Sequence, residues 1–334
     1  MSERKPEAGR AAHTNGTNGG APAAAVWPKD TSTGWASTRV ERRATAQDGT
    51  KIAYEVLGHG ERTIVLANGL GGRLYAWEPL IGAFYRTHRI VTWDYRGLFA
   101  SDSPPTDRRL AVVHHVDDAM AILDAEGISR AVFVGWSMGV QVSLDVAASY
   151  PARVAGLVLL NGTHGHTMAT GFQPLFSIPW LPKRLHALID FLIDHPEIAQ
   201  ALAKVSKVGV VPTSLLLMIT AGPRAWSLRP MLHQYMEDVL GPSFTNFLRL
   251  FQELDAHSVY HLLRYIRAPA LVVSGRLDAM TPAYQSKEMA RRLPNAEWID
   301  LFRSGHFSML ERPEIVVPAI ERFLATRAEW RAPG

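Results

Sequence analysis

Val132-Phe133-Val134-Gly135-Trp136-Ser137-Met138-Gly139-Val140 is an apolar run that closes in Gly-x-Ser-x-Gly. Ala131 to Val134 has the length and composition of a buried parallel strand, and Val140 to Tyr150 can run as a helix until Pro151 stops it. The turn between them is where a serine becomes useful. A hydroxyl is a weak nucleophile, so it must be held out where a carbonyl can reach it and a base can take its proton. A tight strand-to-helix turn does this, and only small residues fit beside it, which accounts for Gly135 and Gly139 on either side of Ser137. Gly-x-Ser-x-Gly also arises by chance in loops. The flanking strand and helix are what separate this copy from those.

A nucleophile needs a base, and the base needs a partner. Ala270-Leu271-Val272-Val273 is a second buried-strand run, and Asp278 lies in the loop just beyond it. Open α/β sheets build sites at that edge. Thr281 followed by Pro282 reads as a helix start, the hydroxyl capping and the proline at the first helical position. Glu297 to Leu301 reads as a short strand, followed by Ser304-Gly305-His306-Phe307. Most loop aspartates only cap turns, and His306 is one of 13 histidines. Two things favour Asp278: its place at a strand end, and the absence of a carboxylate from Asn161-Gly162-Thr163, the competing position after the strand Ala155 to Leu160. The order Ser137, Asp278, His306 differs from the triad orders of chymotrypsin and subtilisin.

Four motifs now stand in sequence: Asn68-Gly69-Leu70-Gly71-Gly72, Asp94-Tyr95-Arg96-Gly97, Gly135 to Gly139, and Gly275 to Asp278 with Gly305-His306. On these, from about Thr38 to Thr326 and leaving out a variable insert, the chain resembles the α/β-hydrolase superfamily, in its group of esterases, lactonases and cofactor-free peroxidases. The resemblance implies a Ser137, His306 and Asp278 triad. It also implies an oxyanion hole made by the backbone N–H groups of Met138 and Leu70. Two departures stand out. Asn68-Gly69 replaces the usual His-Gly; asparagine here resembles the Asn-Ser of 3-oxoadipate enol-lactonases and leans toward lactone substrates. Arg96-Gly97-Leu98-Phe99-Ala100-Ser101 lacks the second glycine usual soon after Arg-Gly, which reads as repacking of a structural loop.

The remaining pattern gives the architecture. Arg39 to Ala46 and Lys51 to Leu57, joined across Asp48-Gly49, read as an opening antiparallel hairpin. Thr63 to Ala67, Arg89 to Trp93 and the four later strands are mostly spaced by helix-length segments. That is an α/β fold with a mostly parallel central sheet and helices on both faces. Asp117-Asp118 reads as the acidic start of a surface helix, and Pro318 should kink the last helix, Glu314 to Arg327, or delay its start. Residues 1–36, rich in Ala, Gly, Asn and Thr without an apolar stretch, read as a disordered tail. Residues 37–163 and 267–330 read as the core, and 164–266 as a large helical cap. Within the cap, helices are expected after Asp194 with Glu197, after Ser243, and along Val259, Leu262, Leu263 and Ile266.

Composition narrows the chemistry. The chain has 334 residues, 47% of them hydrophobic, enough for one large core plus the insert. A net charge of +4 with scattered basic residues argues against nucleic-acid binding. The absence of cysteine excludes disulfides and a thiol nucleophile. No apolar run approaches a transmembrane span, so a cytoplasmic enzyme is expected. His164-Gly165-His166 and His114-His115 lack the supporting carboxylates and spacing of a metal site, and neither metal nor cofactor is expected.

Apolar cap residues Phe172, Phe176, Trp180, Met218 and Trp226 imply that a substrate passes apolar walls, with Asn68, Trp136 and Phe307 as further pocket candidates. The expected activity is hydrolysis of an ester or lactone of a hydrophobic small molecule through an acyl-enzyme. A cofactor-free haloperoxidase or perhydrolase, a carbon–carbon bond hydrolase using the same triad, and a non-catalytic binding protein on the same fold stay open. Epoxide hydrolases and haloalkane dehalogenases need aspartate where Ser137 stands.

Overall fold

A computed structural model describes residues 34–106, 110–171, 178–207, 215 and 224–330. Eight strands form one sheet in the order β1-β2-β4-β3-β5-β6-β7-β8. They are β1 Val40–Thr45, β2 Lys51–Leu57, β3 Thr63–Ala67, β4 Arg89–Trp93, β5 Ala131–Trp136, β6 Val154–Leu160, β7 Ala270–Gly275 and β8 Ala296–Leu301. β1 and β2 pair as the antiparallel hairpin expected, and β2 meets β4 antiparallel. Every later pairing is parallel. β3, β5, β6 and β7 are buried along their whole length, the burial expected of strands covered on both faces. Each Val, Leu, Ile or Phe buried there stabilises the fold by roughly 1.5–3 kcal/mol before chain entropy is counted.

The helices are α1 Glu78–Phe84, α2 Val112–Ala125, α3 Met138–Ser149, α4 Thr167–Thr170, α5 Leu181–Asp194, α6 Pro196–Lys207, α7 Arg229–Val239, α8 Phe244–Ala256, α9 Ala283–Arg292, α10 Ser308–Glu311 and α11 Pro313–Thr326. α1 packs with α11, and α2 packs with α3 and β1. Between β6 and β7, α5 to α8 gather their own apolar cluster: Ile189, Leu192, Ala199, Ala203, Val239, Phe244 and Leu248. The chain leaves β3 for β4 on one side and returns to β5 on the other. That reversal opens a crevice at the carboxyl ends of β3 and β5, where Ala67 and Gly135 are paired neighbours.

Three local expectations are corrected. The Val259, Leu262, Leu263 and Ile266 stripe forms only a 3-10 turn, Leu263–Tyr265. Ser258 bridges to Gly165 and the Val259 N–H bonds the His164 carbonyl, so this segment spends its backbone on the 164–165 stretch before a helix can start. Pro318 does not delay α11, which begins at Pro313 and runs through it. Pro318 lies on the exposed side, where water can solvate the carbonyl that the missing N–H leaves unpaired. Asp118 faces inward: its carboxylate accepts from Nε and Nη2 of the Arg96 guanidinium, at 2.8 and 2.5 Å, with both side chains buried.

The missing glycine of the Arg96-Gly97 loop has a structural counterpart. Phe99 sits at φ 51, a conformation glycine adopts freely, and Arg73 lies 4.8 Å over its ring. The loop keeps a glycine's backbone and pins it with an aromatic side chain.

Candidate active site

Ser137 stands between the end of β5 and the first residue of α3, at φ 55 and ψ −116. Such a backbone costs about 1–3 kcal/mol and persists only when its surroundings force it. They do so here. A Cβ on Gly135 would lie 2.2 Å from the Gly139 carbonyl oxygen, and one on Gly139 would lie 2.0 Å from that of Ala67. The Ser137 N–H donates to Leu160 at the end of β6, at 3.1 Å. Met138 opens α3, so its N–H is one of the helix's unclaimed first-turn donors, with the positive end of the helix dipole behind it.

Asp278 follows β7 and is buried. One carboxylate oxygen, Oδ1, accepts the backbone N–H groups of Met280 and Thr281, each at 2.9 Å. The other, Oδ2, lies 2.9 Å from His306 Nδ1, 2.8 Å from Thr281 Oγ1 and 3.0 Å from Asn161 Nδ2. Every partner can supply a proton, the environment a buried carboxylate requires. Thr281 was expected to cap α9. Its hydroxyl instead faces Asp278, and Pro282 takes the cap position without a side-chain bond.

His306 follows β8 on a loop that other side chains fix. Glu311, 1% exposed, accepts the N–H groups of Gly305 at 2.7 Å and Phe307 at 3.1 Å, the two residues flanking the histidine. Burial pushes the Glu311 carboxyl up, and those backbone bonds pull it back down. The Trp136 indole N–H donates to the His306 carbonyl at 2.9 Å. Trp136 precedes Ser137 in the chain, so the serine and the histidine belong to adjoining backbones. Among the described residues no hydrogen bond joins Ser137 Oγ to His306 Nε2. Such bonds are often long before a substrate is bound.

The loop after β3 completes the crevice. Gly72 N–H bonds the Gly69 carbonyl at 2.8 Å, and Gly71 has φ 72, which gives a tight turn with Leu70 and Gly71 at its corner. Cβ atoms on Gly69 and Gly72 would come within 2.7 and 2.6 Å of the Trp136 ring. Trp136 is therefore a wedge between this loop and the His306 loop, 2% exposed. Asn68 is also turned inward: its amide donates to the Trp93 carbonyl at 2.7 Å and its oxygen accepts the Trp77 indole at 2.6 Å. The side chain anchors the loop to β4.

Phe307 is buried against Trp136 and Tyr235. Trp180 and Trp226 are 61% and 72% exposed. Phe172, Phe176 and Met218 lie outside the described residues. Sequence reasoning missed Asn161, Thr281 and Glu311 as partners of the acid and base. Asn161 did hold a signal, since it occupies the alternative acid position and reaches the same carboxylate from there.

With this geometry in place, comparison adds relatives. Residues 64–319 match the model of the alpha/beta hydrolase family. A protein of Pseudomonas savastanoi pv. phaseolicola named "Putative carbamate hydrolase RutD" is 25% identical over 268 residues, covering 75% of this chain and 88% of its own. The 2-hydroxy-6-oxononadienedioate/2-hydroxy-6-oxononatrienedioate hydrolase of Paraburkholderia phymatum is 30% identical over 272 residues, covering 79% and 87%. Among solved structures, Est816, described as an N-acyl homoserine lactone degrading enzyme, superimposes with a TM-score of 0.66 at 26% identity, covering 84% of this chain and 100% of its own.

Proposed function

The chain belongs to the alpha/beta hydrolase family, and from that premise we propose that it is a serine hydrolase cleaving an ester or lactone of a hydrophobic small molecule. The observation that carries this is the buried His306 to Asp278 bond of 2.9 Å, on a loop tied through Trp136 to the strained Ser137 turn. His306 takes the Ser137 proton at Nε2 as Oγ attacks the carbonyl, and Asp278 holds the other ring nitrogen protonated. The carbonyl oxygen becomes negative and is met by the N–H groups of Met138 and Leu70. His306 returns its proton to the leaving oxygen, leaving an acyl group on Ser137. Water, deprotonated by the same histidine, then releases the acid and restores the serine.

Lactone cleavage gains weight from the name of Est816. The Paraburkholderia relative favours a second reading. Its named substrate contains no ester, so hydrolysis there breaks a carbon–carbon bond, and the same Ser137, His306 and Asp278 could act on such an oxo-acid. Rates on p-nitrophenyl esters of rising chain length, on acyl lactones and on a 2-hydroxy-6-oxo-dienoate separate the two. The ester and lactone reading fails if only the last is turned over.

A further inference from the structure

The oxyanion-hole loop is held from two directions. From the core, Tyr95 donates to the Asn68 carbonyl at 2.6 Å and Trp77 bonds the Asn68 side chain. From the insert, Tyr235 on α7 donates its hydroxyl to the Leu70 carbonyl at 2.7 Å. The second tie is the informative one, because Leu70 is the residue whose N–H is assigned to the hole. Leu70 and Gly71 form the corner of the 69–72 turn, and the peptide between them is the one that turns over when such a turn changes type. Gly71, without a Cβ, offers little resistance to that rotation. The Leu70 carbonyl belongs to that peptide, and Tyr235 holds it. The Leu70 N–H belongs to the Gly69–Leu70 peptide on the other side of the same Cα, so the tie reaches the N–H through the position of that Cα.

Tyr235 is itself set by the insert. Its ring packs against the Ile189, Leu192, Val239, Phe244 and Leu248 cluster and lies edge-on to Phe307, next to the predicted base. Beyond it on α7, Asp238 approaches Arg73 at 3.9 Å, and a Cβ on Gly71 would come within 2.6 Å of Val239 and 3.0 Å of Phe247. One face of α7 and α8 thus lies directly on the loop. We propose that Tyr235 is a positioning residue, which by holding the Leu70 carbonyl restrains the Leu70 Cα that the hole's N–H shares, and so couples the seating of the helical insert to the alignment of the oxyanion hole. This inference rests on the serine-hydrolase reading. Substrate binding that shifts α7 would then alter transition-state stabilisation without touching the triad. Burial pushes the phenol well above its ordinary range, so it stays a proton donor throughout the assay range.

Tyr235→Phe removes one oxygen and keeps the ring, so the packing against the insert and Phe307 stays. The test compares it with the wild type on a p-nitrophenyl ester, and measures inhibition by a trifluoromethyl ketone carrying the same acyl chain: Ser137 Oγ adds to its carbonyl, His306 takes the serine proton, and the hemiketal oxyanion formed occupies the hole. A whole hole donor is worth about 100-fold or more in kcat; misaligning one is expected to lower kcat about 10-fold. KM should stay within twofold, and the ketone's inhibition constant should rise by the same factor as kcat falls. The ratio between the two proteins should stay constant from pH 6 to 9. A loosened insert would instead raise KM and weaken a ground-state analogue, the methyl ketone, equally. That pattern, or a kcat within twofold of wild type, overturns the proposal. Fluorophosphonate labelling of wild-type Ser137 is the control. If the wild type neither labels nor turns over, the hydrolase reading fails and this inference with it; if it does both, the kcat and ketone data judge Tyr235 alone.

Discussion

Asp278→Asn is the most discriminating substitution the geometry offers. Oδ1 accepts two backbone N–H groups, from Met280 and Thr281, so the new amide must leave its oxygen there; turned the other way, its NH2 would face both donors. The NH2 group therefore takes the place of Oδ2, 2.9 Å from His306 Nδ1. It can only donate to that nitrogen, which forces the proton of neutral His306 onto Nε2. An Nε2–H cannot accept the Ser137 proton. The loss expected is about 10⁴-fold in kcat, equivalent to about 5.5 kcal/mol of transition-state stabilisation. The same NH2 also meets Asn161 Nδ2, which loses one of its two acceptors and keeps the Gly305 carbonyl at 2.9 Å; the N–H left unpaired costs about 1–3 kcal/mol of stability. Steady-state hydrolysis of a p-nitrophenyl ester measures the first effect, and urea unfolding followed by tryptophan fluorescence measures the second. A kcat within tenfold of wild type in a folded protein would refute the tautomer argument and place the acid elsewhere.

Two further outcomes follow from buried groups. Gly139→Ala sets a methyl group 2.0 Å from the Ala67 carbonyl oxygen, a backbone atom that cannot swing away; a loss of about 3 kcal/mol or more is expected, and a urea midpoint equal to wild type would show that the elbow is not packed as described. His115, enclosed beside Tyr95 and bonded through Nε2 to the Leu110 carbonyl, is pushed down by burial to about 3. Its unfolded value is about 6.5, so it adds stability above that pH and loses it as pH falls toward 3; between pH 7 and pH 4 the loss is about 3 kcal/mol. His115→Gln, which keeps a donor for Leu110, should remove that part of the pH dependence, and an unchanged slope in urea titrations at the two pH values would contradict the assignment.

The sheet was legible in the sequence because its central strands are buried on both faces and so read as continuous apolar runs. β3, β5, β6 and β7 each lie within one or two residues of the expected span. The elbow was legible for a different reason. Gly135 and Gly139 meet backbone from β3 and from each other, contacts that admit no side chain in any arrangement of this fold. What escaped were side chains whose partners lie far along the chain. Thr281 beside Pro282 has the local pattern of a helix cap, and only the folded chain brings Asp278 and Asn161 to its hydroxyl. Asp118 carries a surface pattern because the neighbouring Asp117 is indeed partly exposed, while Asp118, one step round the helix, meets Arg96. Trp136 and Asn68 resembled pocket residues by position in the motif. Trp136 fills the space that Gly69 and Gly72 leave for a large ring, and the Asn68 side chain is spent on the Trp93 carbonyl and the Trp77 indole.

Ser137 must be a nucleophile if the crevice is an active site. Reaction of the purified full-length protein with a fluorophosphonate, followed by peptide mass mapping, reads this directly, since the reagent modifies only a serine that a base can deprotonate in place. One adduct per chain, on Ser137, abolished by His306→Ala and accompanied by loss of ester hydrolysis, is the predicted result. An unlabelled folded protein that still hydrolyses esters, or an adduct on another serine, would contradict it.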